Sequence, residues 1–122
     1  MGIEVLLCET GKNIPLPASK PPELYWAEVV VAVDGTNITK YSEGADRMRA
    51  IYNALERATN VQPQIKSSVI TANGINQSWV AEITIDYKGR EIYGIGRDTD
   101  MMTSGAVAYA NAIQQVMRSQ PQ

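Results

Sequence analysis

The sequence repeats itself at a fixed interval, and this duplication constrains the fold more than any other feature. A shift of 54 positions, as from Ala27 to Ala81, aligns the two halves of the chain without a gap. The matching pairs include Glu28 with Glu82, Gly35 with Gly89, Ile38 with Ile92, Asp46 with Asp100, Met48 with Met102 and Ala54 with Ala108. A fixed period indicates that one supersecondary unit has been duplicated. Each unit is too short to bury a core alone, so we expect the two to close against each other or against a second chain.

The first copy has the pattern of three strands followed by a helix. Residues 3–8 form an apolar run typical of a strand, and residues 24–33 alternate as a strand does. Asp34-Gly35 is a two-residue turn signal that leads into the next predicted strand, residues 36–41. A helix is predicted from Asp46 or a neighbour, because the apolar residues after it recur at helical spacing.

The second copy repeats this order after a short link. Its predicted strands include residues 65–71 and 79–87, and Lys88-Gly89 is its hairpin turn. A helix is predicted from about Thr99 to Met117, and its many small residues make it thin enough to pack closely. A two-residue turn can only reverse the chain, so these units differ from parallel βαβ units.

The sequence therefore predicts an α+β fold of two pseudo-symmetric β-β-β-α units with antiparallel sheets. We expect a single domain over residues 1–122, with unit one at about 3–59 and unit two at about 61–118. Residues 11–23 hold four prolines, which predicts a long extended loop in unit one.

Composition and charge favour an ordinary globular protein. Of the 122 residues, 44% are hydrophobic and 20% are charged, and the net charge is −2, which gives no electrostatic footprint for nucleic acid or for an anionic membrane. No apolar run approaches the roughly 20 residues that a membrane helix needs. The chain start lacks the pattern of a signal peptide, so we expect a cytoplasmic location.

The residues that most often carry enzyme chemistry are scarce. There is no histidine, which removes the commonest general base and metal ligand. Cys8 is the only cysteine, and it lies in an apolar run where a small buried hydrophobe is the simplest interpretation. We expect no metal, no cofactor and no catalytic residues in this chain.

Gly94-Ile95-Gly96 leads into the second predicted helix and predicts an open junction there. The first N–H groups of a helix have no partner within it, so such a junction can hold an anion. One interpretation is capping: Thr99 or Asp98 accepts an N–H, and Asp46 and Asp100 stabilise the positive helix ends. The other is that open amides hold the carboxylate of a free amino acid, and both can be true together.

Two other interpretations of this segment are weaker. Gly94-x-Gly96 begins like a dinucleotide fingerprint, but Thr99 stands at the sixth position, where that motif has glycine. Asp98 and Asp100 resemble an acid/base pair, but no histidine, metal site or nucleophile accompanies them.

Three segments of the second copy carry a resemblance to a known family: residues 81–85, Tyr93 to Met102 and residues 108–113. They resemble the C-terminal regulatory domain of 2-isopropylmalate synthase and of its relatives, citramalate synthase and some homocitrate synthases. The family motif is Gly-x-Gly-x-Ser-Thr-Asp followed by two hydrophobic residues, and Asp98 stands where it often has serine. In the family, as here, a helix with an Ala-Tyr-x-x-Ala-Ile pattern follows.

The resemblance implies a homodimer that binds a branched-chain amino acid, leucine or isoleucine, near the dimer interface. In the family this effector inhibits a separate N-terminal catalytic barrel, which condenses acetyl-CoA with a 2-oxo acid and holds a divalent metal. None of that barrel is present in these 122 residues. The implied partners are a second copy, the amino acid and, in a longer chain, the barrel.

By the same resemblance, the effector lies close to the segment before the first helix and to the strand after that helix. The candidate binding residues are Glu43, Gly44, Ala45, Asp46, Gln64, Ser68, Gly96, Thr99 and Asp100. The segment 42–45 departs from the family, which usually has Gly-x-Gly-Pro there. The alternatives are therefore a structural dimerisation module that has lost its effector site, or a free-standing small-molecule-binding relative.

Overall fold

A computed structural model describes residues 2–12, 24–73 and 77–119, and it has the predicted α+β architecture. Each unit contains three strands and then a helix. The elements are β1 (Ile3–Lys12), β2 (Tyr25–Val33), β3 (Thr36–Gly44), α1 (Arg47–Thr59), β4 (Gln64–Asn73), β5 (Ser78–Tyr87), β6 (Arg90–Asp98) and α2 (Met101–Ser119).

The strands form two separate antiparallel meanders, in the orders β1-β2-β3 and β4-β5-β6. The hairpins β2-β3 and β5-β6 turn at the two predicted dipeptides. Asp34 and Gly35 have φ of 52° and 84°, and Lys88 and Gly89 have φ of 52° and 81°. Positive φ at both central residues is the type I′ geometry that matches strand twist, so the hairpin predictions are confirmed.

The duplication has two offsets rather than one. The shift of 54 residues holds for β2, β3 and α1, but the first strands align with a shift of 60. Val5 pairs with Val31, and Ile65 pairs with Ile85, which lies 54 positions after Val31. Each first strand then has a register shift at the same place, between Val5 and Leu7 or between Ile65 and Ser67. The bulge was therefore duplicated with the unit, and the chain between equivalent positions of the first and second strands is six residues longer in unit one than in unit two.

Several strands are longer than predicted, because cross-strand pairing continues past the apolar runs. β1 includes Gly11 and Lys12, which were predicted to start the loop, and the rest of that predicted loop lies outside the described residues. β3 continues through the segment before α1, where Gly44 pairs with Tyr25. In β6, Gly94 pairs with Ile83. The expectation of an open glycine junction before α2 is therefore wrong.

The two glycines of β6 instead allow α2 to lie close to the sheet. A Cβ on Gly96 would lie 2.5 Å from the Ser104 carbonyl oxygen and would also meet the Ala108 amide nitrogen. A Cβ on Gly94 would lie 2.9 Å from the Ala112 side chain. The prediction of a thin, closely packed helix is confirmed.

The hydrophobic core lies around the two helices. α1 covers β2 and β3, whereas α2 covers β5 and β6 and also contacts β1 of the other unit. α2 is therefore enclosed by both sheets, and the helices also contact each other. The largest fully buried apolar side chains are Tyr109, Ile51, Leu55, Ile83, Ile85, Ile113, Val29, Val31 and Val116.

Candidate functional site

A cavity of about 400 Å³ lies between the first turns of α1 and the inner face of β4. Half of its lining is apolar and half is polar or charged. The apolar side chains are Met48, Ile65, Ile70 and Met102, and the polar ones are Asp46, Arg49, Tyr52 and Ser68. A mixed lining of this kind suits a small molecule with an aliphatic part and charged groups.

The two equivalent helix–strand pairs of the duplicated fold differ in how closely they approach. Tyr52 corresponds to Ala106 of α2 by the shift of 54, and Ser68 corresponds to Cys8 of β1 by the shift of 60. At the place where the helix has the small residue Ala106, α2 and β1 approach each other closely. At the place where it has Tyr52, the described parts of α1 and β4 do not. The Tyr52 hydroxyl instead reaches across the gap and lies 2.8 Å from Ser68 Oγ. The larger side chain, Tyr52, thus lies where the helix and the strand are further apart.

Arg49 connects the cavity to a buried polar network. Its Nη2 lies 3.3 Å from Oε2 of Glu56, and its Nε donates to Asn53 Oδ1 at 3.0 Å. Glu56 is only 7% exposed and also accepts a 2.6 Å hydrogen bond from the Tyr109 hydroxyl of α2. Two effects raise the pKa of the Tyr109 hydroxyl above its ordinary value. The larger is burial, and the next is the hydrogen bond to the Glu56 carboxylate.

Glu56 is buried on α1, at the interface that this helix forms with α2. A buried carboxylate needs partners, and Arg49 and Tyr109 supply them. The Tyr109 ring also contacts the Tyr52 ring, with centroids 4.6 Å apart. The cavity wall is therefore tied to the centre of the core.

Both helix starts are capped by the duplicated aspartates. Asp46 Oδ1 accepts the Arg49 amide at 2.8 Å, and Asp100 Oδ2 accepts the Thr103 amide at 2.8 Å. Asp98 accepts the Asp100 amide at 2.9 Å. The capping interpretation is confirmed, with Asp100 rather than Thr99 or Asp98 as the cap of α2.

The predicted residues of the first copy fall partly on the cavity. Asp46 and Ser68 line it. Gly44 lies behind the wall, since a Cβ there would be 2.6 Å from the Ala50 amide nitrogen. Glu43 is on the opposite, solvent-facing side of β3, and its carbonyl accepts from Asn53. The exposed Ala45 joins β3 to the cap of α1, and the exposed Gln64 starts β4 on the outer face of its sheet.

The predicted residues of the second copy lie outside the lining. Gly96 is buried under α2. Thr99 and Asp100 are exposed at the start of α2, where the nearby Met102 is the residue that reaches the cavity. The structure therefore brings Asp46 and Ser68 together and places Gly96 elsewhere.

Six residues of the lining were not identified as site residues from the sequence: Met48, Arg49, Tyr52, Ile65, Ile70 and Met102. Met48 and Met102 are an identical pair in the repeat. The sequence signal for the site is a difference between the two copies: Tyr52 aligns with the much smaller Ala106.

An adjoining groove extends the cavity toward sheet one. It also has a volume of about 400 Å³ and shares Asp46, Met48 and Met102 with the cavity. The groove adds Lys12, Tyr25 and Arg47, whose guanidinium lies 5.7 Å from the Tyr25 ring centroid.

A larger cavity, about 580 Å³, lies at the other end of α1, and its lining is mainly polar. It offers little apolar surface for an aliphatic ligand. A helix C-terminus also disfavours anions. We therefore do not assign the candidate site to this cavity, whose lining residues are Lys40, Glu56, Arg57, Asn60, Gln62 and Tyr87.

Cys8 occupies the position in β1 that is equivalent to Ser68 in β4. Burial, with Asp100, Asp98 and Glu9 nearby, raises the pKa of its thiol to about 12. At neutral pH the thiol is protonated and is a poor nucleophile. In residues 2–12, 24–73 and 77–119, no cluster of three side chains has the chemistry of a metal site. Within those same ranges, neither helix has the length and apolar character needed to cross a bilayer.

Comparisons with known proteins agree with this architecture. Residues 18–117 match the family model described as the LeuA allosteric (dimerisation) domain. The chain is 30% identical over 83 residues to 2-isopropylmalate synthase of Campylobacter jejuni strain RM1221. The aligned region covers 66% of this chain and 16% of that protein. It is 29% identical over 96 residues to the Proteus mirabilis 2-isopropylmalate synthase, covering 77% of this chain and 18% of the relative.

A third relative matches along nearly the whole chain. The 2-isopropylmalate synthase of Histophilus somni strain 2336 is 28% identical over 122 residues, which is 98% of this chain and 22% of that protein. The chain thus spans between about one sixth and one fifth of the length of these relatives. The family match covers well over half of the chain, including β2 to β6 and nearly all of α2, and we conclude that this chain belongs to the LeuA allosteric (dimerisation) domain family.

Proposed function

We propose that this domain binds a branched-chain amino acid, leucine or isoleucine, in the cavity between α1 and β4. The observation that carries the proposal is the asymmetry of the duplicated fold. A cavity with apolar walls and opposite charges lies between α1 and β4, whereas α2 contacts β1 at the equivalent place. Arg49 in the cavity wall also belongs to a buried polar network with Glu56 and Tyr109, which joins the two helices.

The lining matches the three parts of such a ligand. Arg49 has five N–H donors and uses two in the bonds to Asn53 and Glu56, so its guanidinium can also bind a carboxylate. Asp46 and the Ser68 hydroxyl provide acceptors for an ammonium group. The methionine and isoleucine side chains supply the surface for a branched aliphatic chain. The cavity volume of about 400 Å³ lies within the usual range for small-ligand pockets.

We further propose that the domain acts as a homodimer and controls an attached catalytic barrel of the 2-isopropylmalate synthase type by feedback inhibition. The support is the family description and the names of the relatives, in which this region is a small part of a longer protein. A ligand shifts a dimer between arrangements only as far as it prefers one of them. The cavity lies beside the first turns of both helices.

Isothermal titration calorimetry with leucine, isoleucine and alanine tests binding. Arg49→Gln should weaken leucine binding by about tenfold, since it removes a charge-assisted bond. Asp46→Asn should also weaken it, because asparagine preserves the helix cap but removes the charge. Asp100→Asn is the matched control at the equivalent helix start, and it should leave the affinity unchanged.

The alternative is a structural dimerisation module without an effector site. Thermal unfolding with and without leucine distinguishes the two, because a ligand that binds only the folded state must raise Tm. No heat of binding and no rise in Tm with any branched-chain amino acid would refute the effector proposal. Sedimentation equilibrium then tests dimerisation by itself, and a monomer at all concentrations would refute that part.

A further inference from the structure

The solvent-facing side of sheet one contains a second cleft, with a volume of about 370 Å³. Two glutamates and two aromatic residues line it: Glu9, Trp26, Glu28 and Tyr41. Glu9, Glu28 and Tyr41 face one another across β1, β2 and β3, and Trp26 lies on the next row. Strand alternation places this row on the side away from α1, because Ala27 and Val29 point inward and are fully buried.

The aromatic rings form an ordered wall of the cleft. The Trp26 and Tyr41 rings are nearly parallel, with an interplanar angle of 16° and centroids 6.4 Å apart. The indole lies over Gly11, where a Cβ would be 2.6 Å from Trp26 Nε1. Tyr41 is 47% exposed, so a ligand can reach its ring. The glycine thus allows a flat aromatic surface beside two carboxylates.

The charged residues at the described positions of this sheet face are all acidic. Glu9 and Glu28 are direct cross-strand neighbours, an arrangement in which like charges repel. Among the twelve described positions that form the face, four are glutamate and none is lysine or arginine. By register these positions are Glu4, Leu7, Glu9, Gly11, Trp26, Glu28, Val30, Ala32, Asn37, Thr39, Tyr41 and Glu43. A cation in the cleft would relieve the repulsion.

The second copy shows that the fold does not require this cleft. The residues equivalent to Glu9, Trp26 and Tyr41 are apolar in unit two, namely Val69, Val80 and Ile95. Only Glu28 has a counterpart of the same type, Glu82, and that carboxylate accepts a 2.7 Å bond from the Tyr93 hydroxyl. The acid–aromatic combination is therefore particular to sheet one.

We propose that this cleft binds an arginine side chain presented by a polypeptide segment outside this chain. A guanidinium is planar and stacks on Trp and Tyr rings, and its fork of donors matches carboxylates. Both features are present here, at the centre of a sheet face that no described element of this chain covers. The site lies on the opposite side of sheet one from α1 and is independent of the proposed amino-acid effector site.

Nuclear magnetic resonance titration tests this proposal directly. The full chain is titrated with N-acetylarginine amide and, separately, with the neutral isostere N-acetylcitrulline amide, while the indole N–H signals of Trp26 and Trp79 are followed. The arginine compound should give a saturable shift at Trp26, whereas Trp79, on the helix-facing side of sheet two, should not shift. The citrulline compound should leave both signals in place.

Charge-removing variants complete the test. Glu9→Gln and Glu28→Gln should each weaken arginine binding by about fivefold, as expected for the loss of one exposed charge partner. Glu82→Gln, at the equivalent position of sheet two, should leave the affinity unchanged. An unshifted Trp26 signal, an equal response to citrulline, or unchanged affinity in both sheet-one variants would overturn the proposal.

Discussion

The hydroxyl of Tyr52 lies 2.8 Å from Oγ of Ser68, and this contact joins α1 to β4 across the candidate effector cavity. The equivalent positions of the duplicated unit are Ala106 and Cys8, which lie on a helix and a strand that contact each other. The same helix–strand pair thus occurs twice, and the pair with the larger helix residue, Tyr52, is the more widely separated one.

The Tyr52–Ser68 hydrogen bond should stabilise the fold by about 1 kcal/mol. Tyr52→Phe and Ser68→Ala should therefore each lower the free energy of unfolding by about that amount. The double variant should lose no more than either single variant, because both remove the same bond. Urea unfolding measures all four proteins. Fully additive losses would show that the two groups do not interact.

Tyr109 and Tyr93 each donate a hydrogen bond to a glutamate, one in the core and one on the surface. Tyr109→Phe removes a donor from the buried Glu56 carboxylate and should cost about 1.5–3 kcal/mol of unfolding free energy. Tyr93→Phe removes the same kind of bond in an exposed place, where water competes for it, so its cost should be clearly smaller. Equal losses in chemical denaturation at pH 7 would contradict the buried network described here.

Gly96→Ala should be strongly destabilising, by about 3 kcal/mol, since the new Cβ would meet backbone atoms of α2 that cannot rotate away. Gly89→Asn is a suitable control, because it changes a glycine at φ of 81° where nothing lies within 4 Å. Asparagine tolerates positive φ, so this cost should be about 1 kcal/mol or less. Thermal or urea unfolding compares the two, and a mild effect at Gly96 would refute the close contact of β6 with α2.

Stability should decline above pH 9 because the protonated Cys8 thiol is favoured in the folded state. The pKa of this thiol rises from 9.0 to about 12 on folding. A raised pKa contributes stability that is complete below the unfolded value and is lost as the pH rises toward the folded value. The pKa values of Tyr52 and Tyr109 are also raised, but from 10.0, so their effect starts higher.

Cys8→Ala separates these contributions. Unfolding free energies measured under reducing conditions between pH 8 and pH 10 should fall for the original chain and fall less for the variant. Identical pH dependence in the two proteins would assign the alkaline loss to the tyrosines alone.

The parts of the fold that depend on local chemistry could be predicted from the sequence. Asp34-Gly35 and Lys88-Gly89 determine their own turns, and the repeat then sets the order of elements. The cavity could not be predicted in this way, because it depends on the distance between α1 and β4, which tertiary structure sets rather than local sequence. The 60-residue offset of the first strands also differs from the 54-residue offset of the helices. The shift of 54 aligns Tyr52 with Ala106, but a shift of 60 is needed to align Cys8 with Ser68.

The most direct test is a crystal structure of this chain grown with leucine and isoleucine. The proposed function predicts a branched-chain amino acid between α1 and β4, with its carboxylate at Arg49 and its aliphatic chain against Met48 and Ile70. An empty α1–β4 cavity, with the amino acid bound elsewhere or not at all, would contradict it.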